Sequence, residues 1–140
     1  MSLTPFQVEI VSPEKAALFS GAVVKLFATG IMGELEILAN HAPLLTTLGP
    51  GPVWVEKADQ QEYSLVIFGG ILEVQPKCTT VLADAALRAD EIDEDHALKV
   101  KEQAEKAIRD RQAGLDYAKA NAELVAALAQ LRIIRKIRGK

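Results

Sequence analysis

The first half of the chain shows the alternation of apolar and polar positions that is typical of β-strands. Phe6, Val8 and Ile10 alternate with polar residues, which places one side of a strand against a core and the other side in solvent. Further strands are predicted at 22–28, 34–38, 52–57, 62–68, 71–74 and 79–83. Glycine, proline and polar residues separate these segments, and the Gly-Pro-Gly-Pro segment at 49–52 predicts a turn. The spacing is that of a β-sandwich or barrel.

The pattern becomes helical after residue 92. Asp93 is a suitable N-cap, and the acids that follow it favour the positive end of a helix dipole. One face of the first helix carries Ala97, Val100, Ala104, Ala107 and Ile108. Gly114 is its expected end. A second helix over 116–138 carries its apolar stripe at Tyr117, Ala120, Leu124, Leu128, Leu131 and Ile134.

Composition changes where the helical pattern begins. All six prolines and seven of the nine glycines lie before residue 81, whereas ten alanines lie between residues 97 and 129. Alanine is the best helix former, and proline and glycine mark turns. The chain is therefore predicted to be an α+β protein, with an antiparallel β-sandwich over residues 1–88 and an antiparallel two-helix hairpin over 89–140.

The predicted hairpin is poor in large apolar side chains. Alanine buries little area, so packing between the two helices stabilises them by only a few kcal/mol. Two alternatives follow from this: the hairpin is a moving part on a stable β domain, or it docks on the sandwich in one fixed pose.

Charge and residue inventory exclude several classes of function. The net charge is −3 in 140 residues, which argues against a nucleic-acid partner. A single cysteine, Cys78, and two histidines make a poor metal site. The chain lacks a phosphate-binding glycine loop, a Gly-x-Ser-x-Gly segment and a His-Glu-x-x-His segment. We therefore expect no catalytic residues, no metal and no cofactor.

One segment has nearly the length of a membrane span. Residues 37–55 carry no charged side chain, but three prolines and two glycines would interrupt a lipid-exposed helix repeatedly. No membrane span is therefore predicted. The first residues lack the basic and apolar regions of a secretion signal, so a reduced, cytoplasmic location is expected.

The last ten residues carry five cations and no acid. Arg132, Arg135, Lys136 and Arg138 are interleaved with isoleucines, which produces mixed basic and apolar surface. One alternative is a solvated helix end whose cations suit the negative dipole terminus. The other, which we favour, is a contact for an acidic partner surface.

Several ordered motifs together resemble the epsilon subunit of bacterial F-type ATP synthases. In the first half they are Val11-Ser12-Pro13-Glu14, Phe19-Ser20-Gly21, the segment Gly33 to Leu38 and the segment His41 to Thr46. Later ones are Gly69 to Pro76, Val81-Leu82-Ala83-Asp84, Tyr117-Ala118 and Ala129-Gln130-Leu131-Arg132. The resemblance extends over essentially the whole chain in register.

The resemblance implies a non-catalytic subunit of the central rotor stalk. Such a subunit has a ten-stranded β-sandwich, binds the gamma subunit and rests on the ring of c subunits. It couples proton flow to rotation at the cytoplasmic face of the bacterial plasma membrane. Its hairpin either folds on the sandwich or extends toward the alpha and beta subunits, where it inhibits ATP hydrolysis.

Site residues are implied by the same resemblance. The residues expected at the c-ring are Ile31, Met32, Gly33, Glu34, His41, Ala42, Pro43 and Leu44. Those expected to make the inhibitory contact with beta are Arg132, Arg135, Lys136 and Arg138.

Some members of the family bind ATP through an Ile/Leu-Asp-x-x-Arg-Ala motif at the first helix. Here the matching residues are Ile92, Asp93, His96 and Ala97, with histidine in place of arginine. A neutral imidazole lacks the permanent charge and bidentate geometry of arginine, so ATP binding is expected to be weak. A nucleotide-responsive sensor whose hairpin binds ATP remains the alternative function.

Overall fold

A computed structural model describes residues 3–14, 17–110 and 117–139 of the protein. Within these residues the order is eight strands, a short 3-10 helix and two α-helices. The first four strands are β1 (Phe6–Val11), β2 (Phe19–Val23), β3 (Lys25–Gly30) and β4 (Gly33–Ile37). The others are β5 (Leu44–Glu56), β6 (Glu62–Val74), β7 (Thr79–Ala83) and β8 (Ala86–Arg88). The 3-10 helix (Ala89–Glu91) leads to α1 (Glu94–Asp110) and α2 (Tyr117–Arg138).

The strands form a sandwich because the two longest of them each take part in both layers. The first half of β5 pairs with the second half of β6, and β7, β1 and β2 follow in that layer. In the other layer the second half of β5 pairs with the first half of β6; β3 and β4 continue this layer beside β5, and β8 continues it beside β6. Each layer therefore contains five strand segments, because β5 and β6 are counted in both. The predicted fold class is confirmed, with the correction that one described pair, β1 with β7, is parallel.

A single apolar core joins the two layers. Val8 and Leu72 from one layer and Leu26 and Leu65 from the other are fully buried in the same cluster. In β1 the buried residues Val8 and Ile10 flank the exposed Glu9, as a sandwich requires. In β6 the alternation is interrupted, because Val66 is buried on the opposite face, under α2. The alternation in Phe6–Val11 was therefore a sound guide to the core.

The turn predicted at residues 49–52 is wrong, because this segment is part of β5. Pro50 lies opposite Phe68, whose N–H donates instead to the Ala85 carbonyl oxygen. On the other side of β5, the pairing with β3 shifts register between Phe27 and Gly30. Because the ladder is irregular there, β3 does not require a hydrogen bond from the backbone N–H that proline lacks. The Thr29 hydroxyl donates to the Pro52 carbonyl oxygen at 3.0 Å in this irregular region.

The two strands predicted at 62–68 and 71–74 are one strand with a glycine pair in its middle. Gly69 and Gly70 have φ values of +96° and +150°, a backbone region that residues other than glycine rarely adopt. A Cβ built on Gly70 would lie 2.2 Å from the Leu82 carbonyl oxygen. The pair therefore lets β6 change layers while β7 stays close.

The first helix begins as the sequence predicts. The Asp93 carboxylate accepts a hydrogen bond from the His96 N–H at 3.1 Å, and its carbonyl oxygen accepts one from Ala97 N–H at 3.0 Å. Asp93 is thus the N-cap of α1. The predicted helix end at Gly114 and the predicted start of the second helix at residue 116 lie outside the described residues.

The apolar stripe predicted for the second helix is only partly right. Tyr117 and Leu128 are 57% and 44% exposed. The buried residues of α2 are Ala120, which belongs to the predicted stripe, and Ala127, Ala129 and Ile133, which do not. They lie on two faces, because α2 packs against α1 and also against β5 and β6.

The hairpin is docked on the sandwich in this structure. Ile133 and Ala129 form a small buried cluster with Val66 of β6. Trp54, Phe68, Ala89 and Ile92 pack around this cluster. Of the two poses left open by the sequence, the structure therefore presents the docked one.

The glycine pair in β6 generates a stability prediction. We expect Gly70→Ala to lower the free energy of unfolding by about 2–4 kcal/mol, because backbone strain and overpacking add there. Gly33→Ala is the matched control: its φ is +136°, but a Cβ there has nothing within 4 Å. Its expected cost is about 1 kcal/mol, from the backbone alone. Urea denaturation at equilibrium measures both values, and equal losses would contradict a steric role for the Leu82 carbonyl.

Candidate functional site

Two stacked aromatic rings form a platform beneath the second half of α2. Phe27 of β3 and Trp54 of β5 are direct partners in the sheet. Their ring centroids are 3.9 Å apart and the planes differ by 6°. Both rings are half-buried, so their upper side is available to side chains of the helix.

Cations of α2 lie over this platform and bind acids beside it. The Arg132 guanidinium is 5.5 Å from the centroid of Phe27 and 5.8 Å from that of Trp54. Lys136 Nζ is 4.5 Å from the Trp54 centroid, within the range of cation–π attraction. Arg132 donates to Glu34 at 2.5 Å, and Lys136 forms an ion pair with Glu62. We call these five contacts, together with the Phe27–Trp54 pair, the α2 latch.

The other two predicted basic contact residues behave differently. Arg138 donates to Glu94 of α1 through both of its terminal nitrogens, one of them at 2.9 Å. This pair joins the end of α2 to the start of α1, so it holds the two helices together. Arg135 is exposed in the docked hairpin.

The predicted c-ring residues lie in two segments, one from the β3–β4 turn into β4 and one leading into β5. Ile31 and Met32 form the turn between β3 and β4, and Gly33 is the first residue of β4. We call these three residues the tip. Met32 is 93% exposed and Ile31 is 62% exposed. The Ile31 N–H donates to the Thr47 carbonyl oxygen at 3.2 Å, which fixes the tip beside the first residues of β5.

The second segment leads directly into the same strand. His41, Ala42 and Pro43 are exposed, and Leu44 begins β5 opposite Val74. His41 Nδ1 lies 2.7 Å from the Ala42 carbonyl oxygen, so the imidazole is held close to the loop backbone. The two predicted segments therefore both border the first residues of β5, at Thr47 and at Leu44, while Glu34 binds the hairpin.

Sequence reasoning missed an exposed apolar row on the outer face of one layer. Leu82, Ile71 and Thr47 are successive partners across β7, β6 and β5. Leu82 is 47% exposed, Ile71 43% and the nearby Leu45 69%. The signal was present: Leu72 and Val81 are buried, and strict alternation turns their neighbours outward.

The candidate ATP motif has structural roles in the docked hairpin. Ile92 packs against the cluster under α2, and Ala97 is 1% exposed. The Asp93 carboxylate caps α1, and His96 is exposed. A cavity of about 570 Å³ lies between the sandwich and the end of α2. Its lining includes Arg88 and Lys136, and none of the four motif residues lines it.

The described residues offer neither a metal centre nor a membrane helix. Across 3–14, 17–110 and 117–139, no three His, Cys, Asp or Glu side chains are grouped so as to hold a metal ion. In the same part of the chain, no helix combines the length and the hydropathy that crossing a membrane needs.

A sandwich carrying a docked helical hairpin, with exposed apolar and charged contact surfaces, defines an assembly subunit. Comparison with known families identifies which one. Residues 5–89 match the β-sandwich domain, and residues 90–135 the long α-helix domain, of the ATP synthase delta/epsilon chain. The chain belongs to this family, and the predicted identification as an accessory subunit of ATP synthase is confirmed.

Full-length relatives agree with the two domain matches. The chain is 50% identical to the ATP synthase epsilon chain of Nitrosococcus oceani over 140 residues, which is all of this chain and 99% of the relative. It is 49% identical to that of Chromohalobacter salexigens over 138 residues, covering 99% and 97%.

Solved structures of more distant proteins share the fold. A chain of the Euglena gracilis mitochondrial ATP synthase superposes with a TM-score of 0.74 at 21% identity, covering 88% of this chain and 76% of that one. A chain of the Tetrahymena thermophila mitochondrial central stalk and c-ring gives a TM-score of 0.63 at 14% identity, with coverages of 94% and 98%.

Proposed function

We propose that the protein is a rotor subunit of a bacterial proton-translocating F-type ATP synthase. In this role it binds gamma and the c-ring at the cytoplasmic face of the plasma membrane, and its hairpin inhibits ATP hydrolysis. The observation that carries the proposal is 50% identity to an epsilon chain over the full length of both domains. Both domains of the family are matched in this chain, which supports a rotor part and a regulatory part.

The gamma contact is assigned to the exposed apolar row. Leu45, Ile71 and Leu82 form a patch on a flat sheet face, and apolar patches of this kind mark protein contacts. The patch lies on the layer that does not carry the hairpin, because α2 packs on the platform of the other layer. Gamma binding and hairpin docking are therefore compatible.

The c-ring contact is assigned to the tip and to the 41–44 segment. A nearly fully exposed methionine beside an exposed isoleucine suits a partner with apolar loops. Both segments border the first residues of β5, at Thr47 and at Leu44. These two segments contact the ring while the outer sheet face contacts gamma.

Inhibition is assigned to the basic residues of α2 after the hairpin leaves the sandwich. In the docked pose Arg132 and Lys136 are bound by Glu34 and Glu62. Those two cations are released only on undocking, and an acidic surface of beta then replaces the two carboxylates. Charge-assisted contacts of this kind are strong and sensitive to salt.

Assembly tests the rotor assignment. We expect Leu82→Lys to weaken co-elution of the full chain with gamma, because a desolvated lysine in an apolar interface has no partner. Leu98→Lys is the matched control, since Leu98 of α1 is 39% exposed and lies away from the outer sheet face. Size-exclusion chromatography of the mixed subunits measures the effect. Full binding by the Leu82→Lys variant would contradict the assigned surface.

Hydrolysis by the reconstituted complex tests the inhibitory role. We expect faster ATP hydrolysis with a chain ending at residue 88 than with the full chain, since only the full chain carries the inhibitory helix. Alanine at positions 132, 135, 136 and 138 together is expected to give most of the same increase.

Arg135→Ala separates inhibition from docking, because Arg135 is exposed in the docked hairpin. This single variant is expected to relieve inhibition partly while α2 remains docked. Rates that are equal for all these chains at low salt would show that the basic tail is only a solvated helix end.

ATP binding tests the alternative function. We expect little heat on titration of ATP into the isolated chain, because Asp93 caps α1 and acids surround His96. His96→Arg is expected to strengthen binding by about 1–3 kcal/mol if a charge-assisted contact forms. Gln103→Arg, an exposed position on the same helix, controls for net charge. Tight binding by the unmodified chain would favour the nucleotide sensor.

A further inference from the structure

Glu34 stands where two contact surfaces of the molecule meet. It follows the tip directly and lies in β4, the last strand in the described sheet order. Its side chain is 52% exposed, and its carboxylate accepts the hydrogen bond from Arg132. One carboxylate thus belongs both to the end of the sandwich that carries Met32 and to the α2 latch.

The carboxylate completes the binding of Arg132. On one side the guanidinium faces the Phe27 and Trp54 rings at 5.5 and 5.8 Å, and on the other it donates to Glu34. Without Glu34, the described contacts of this cation are with the rings alone. The latch then keeps the Lys136–Glu62 pair as its remaining ion pair, beside the contacts of Arg132 and Lys136 with the rings.

The tip offers a partner apolar surface with one acid at its border. Met32 and Ile31 are the most exposed and third most exposed of the large apolar residues. A surface of this kind fits a partner that presents apolar side chains together with a cation. A second cation brought to Glu34 would also lie close to Arg132, and two like charges sharing one carboxylate repel each other.

We propose that Arg132 of the hairpin and a cationic partner at the tip compete for Glu34, so that engagement of the tip loosens the docked hairpin. The proposal rests on the proposed contact of the tip with the c-ring. It adds that seating on the ring frees the same helix that is assigned to inhibition. The fold thereby links the base of the rotor to its regulatory element through one side chain.

A neighbouring acid provides a matched control. Glu36 lies two residues further along β4, on the same side of the strand, and pairs with Lys25 at 3.2 Å. The hydrogen bond and the charge of Glu36 raise the pKa of Lys25 above its ordinary value. Glu36→Gln therefore removes an acid from the same strand while leaving the α2 latch intact.

The test measures hydrogen exchange of the backbone amides in the second half of α2. The full chain is bound to the alpha, beta and gamma subunits, with and without the c-ring. We expect the ring to speed exchange about two- to five-fold, the range that an exposed ion pair's contribution represents. In Glu34→Gln, exchange is already faster without the ring, and the ring changes it little. Glu36→Gln responds like the unmodified chain.

Separate outcomes overturn the two proposals. Ring binding by the unmodified chain, detected by co-purification, with no change in α2 exchange overturns the competition alone. A Glu34→Gln chain that still responds fully to the ring does the same. Failure of the unmodified chain to bind the ring overturns the rotor assignment, and the competition with it. Trp54 fluorescence gives an independent readout, since Trp54 is the single tryptophan of the chain.

Discussion

The contact between α2 and the Phe27–Trp54 platform determines which surfaces the protein presents. Its buried part is small, consisting of Val66, Ala129 and Ile133. Exposed ion pairs contribute about 0–1 kcal/mol each, and cation–π contacts about 0.5–1 kcal/mol. The Lys136–Glu62 pair is less exposed than the Arg132–Glu34 pair, so salt screens it less. A contact of this size keeps the hairpin docked and still lies within the reach of a partner's binding energy.

Local patterns were sufficient to predict the elements whose causes are local. The cap at Asp93 depends on four consecutive residues, and the alternation in Phe6–Val11 reflects one buried strand face. The turn predicted at residues 49–52 failed for a non-local reason. Proline is tolerated in β5 because the partner strand β3 is irregular at that point, and no property of the segment itself reveals the register of its neighbour.

The site was predictable as a set of residues but not as a set of pairs. The basic residues of α2 stand out in the sequence, yet Arg132 binds a glutamate 98 residues away and Lys136 one 74 residues away. Only the folded sandwich brings these partners together, so no local pattern reveals the pairs. The available signal for a shared contact was the spacing of positions 132 and 136. Residues i and i+4 lie on the same face of a helix, so both cations contact the same surface. The stripe predicted for α2 was only partly right, because a helix packed on two sides has no single apolar face.

The cations of α2 serve two distinct contacts, which constrains how the hairpin moves. Arg132 and Lys136 bind the sandwich, whereas Arg138 binds Glu94 at the start of α1. Breaking the latch and the buried contact of Ala129 and Ile133 with Val66 therefore frees the hairpin from the sandwich without separating its helices. Full extension of α2 requires the Arg138–Glu94 pair and the packing against α1 to break as well. Undocking and opening are thus separate steps with separate side chains, and a partner that takes Glu34 acts only on the first of them.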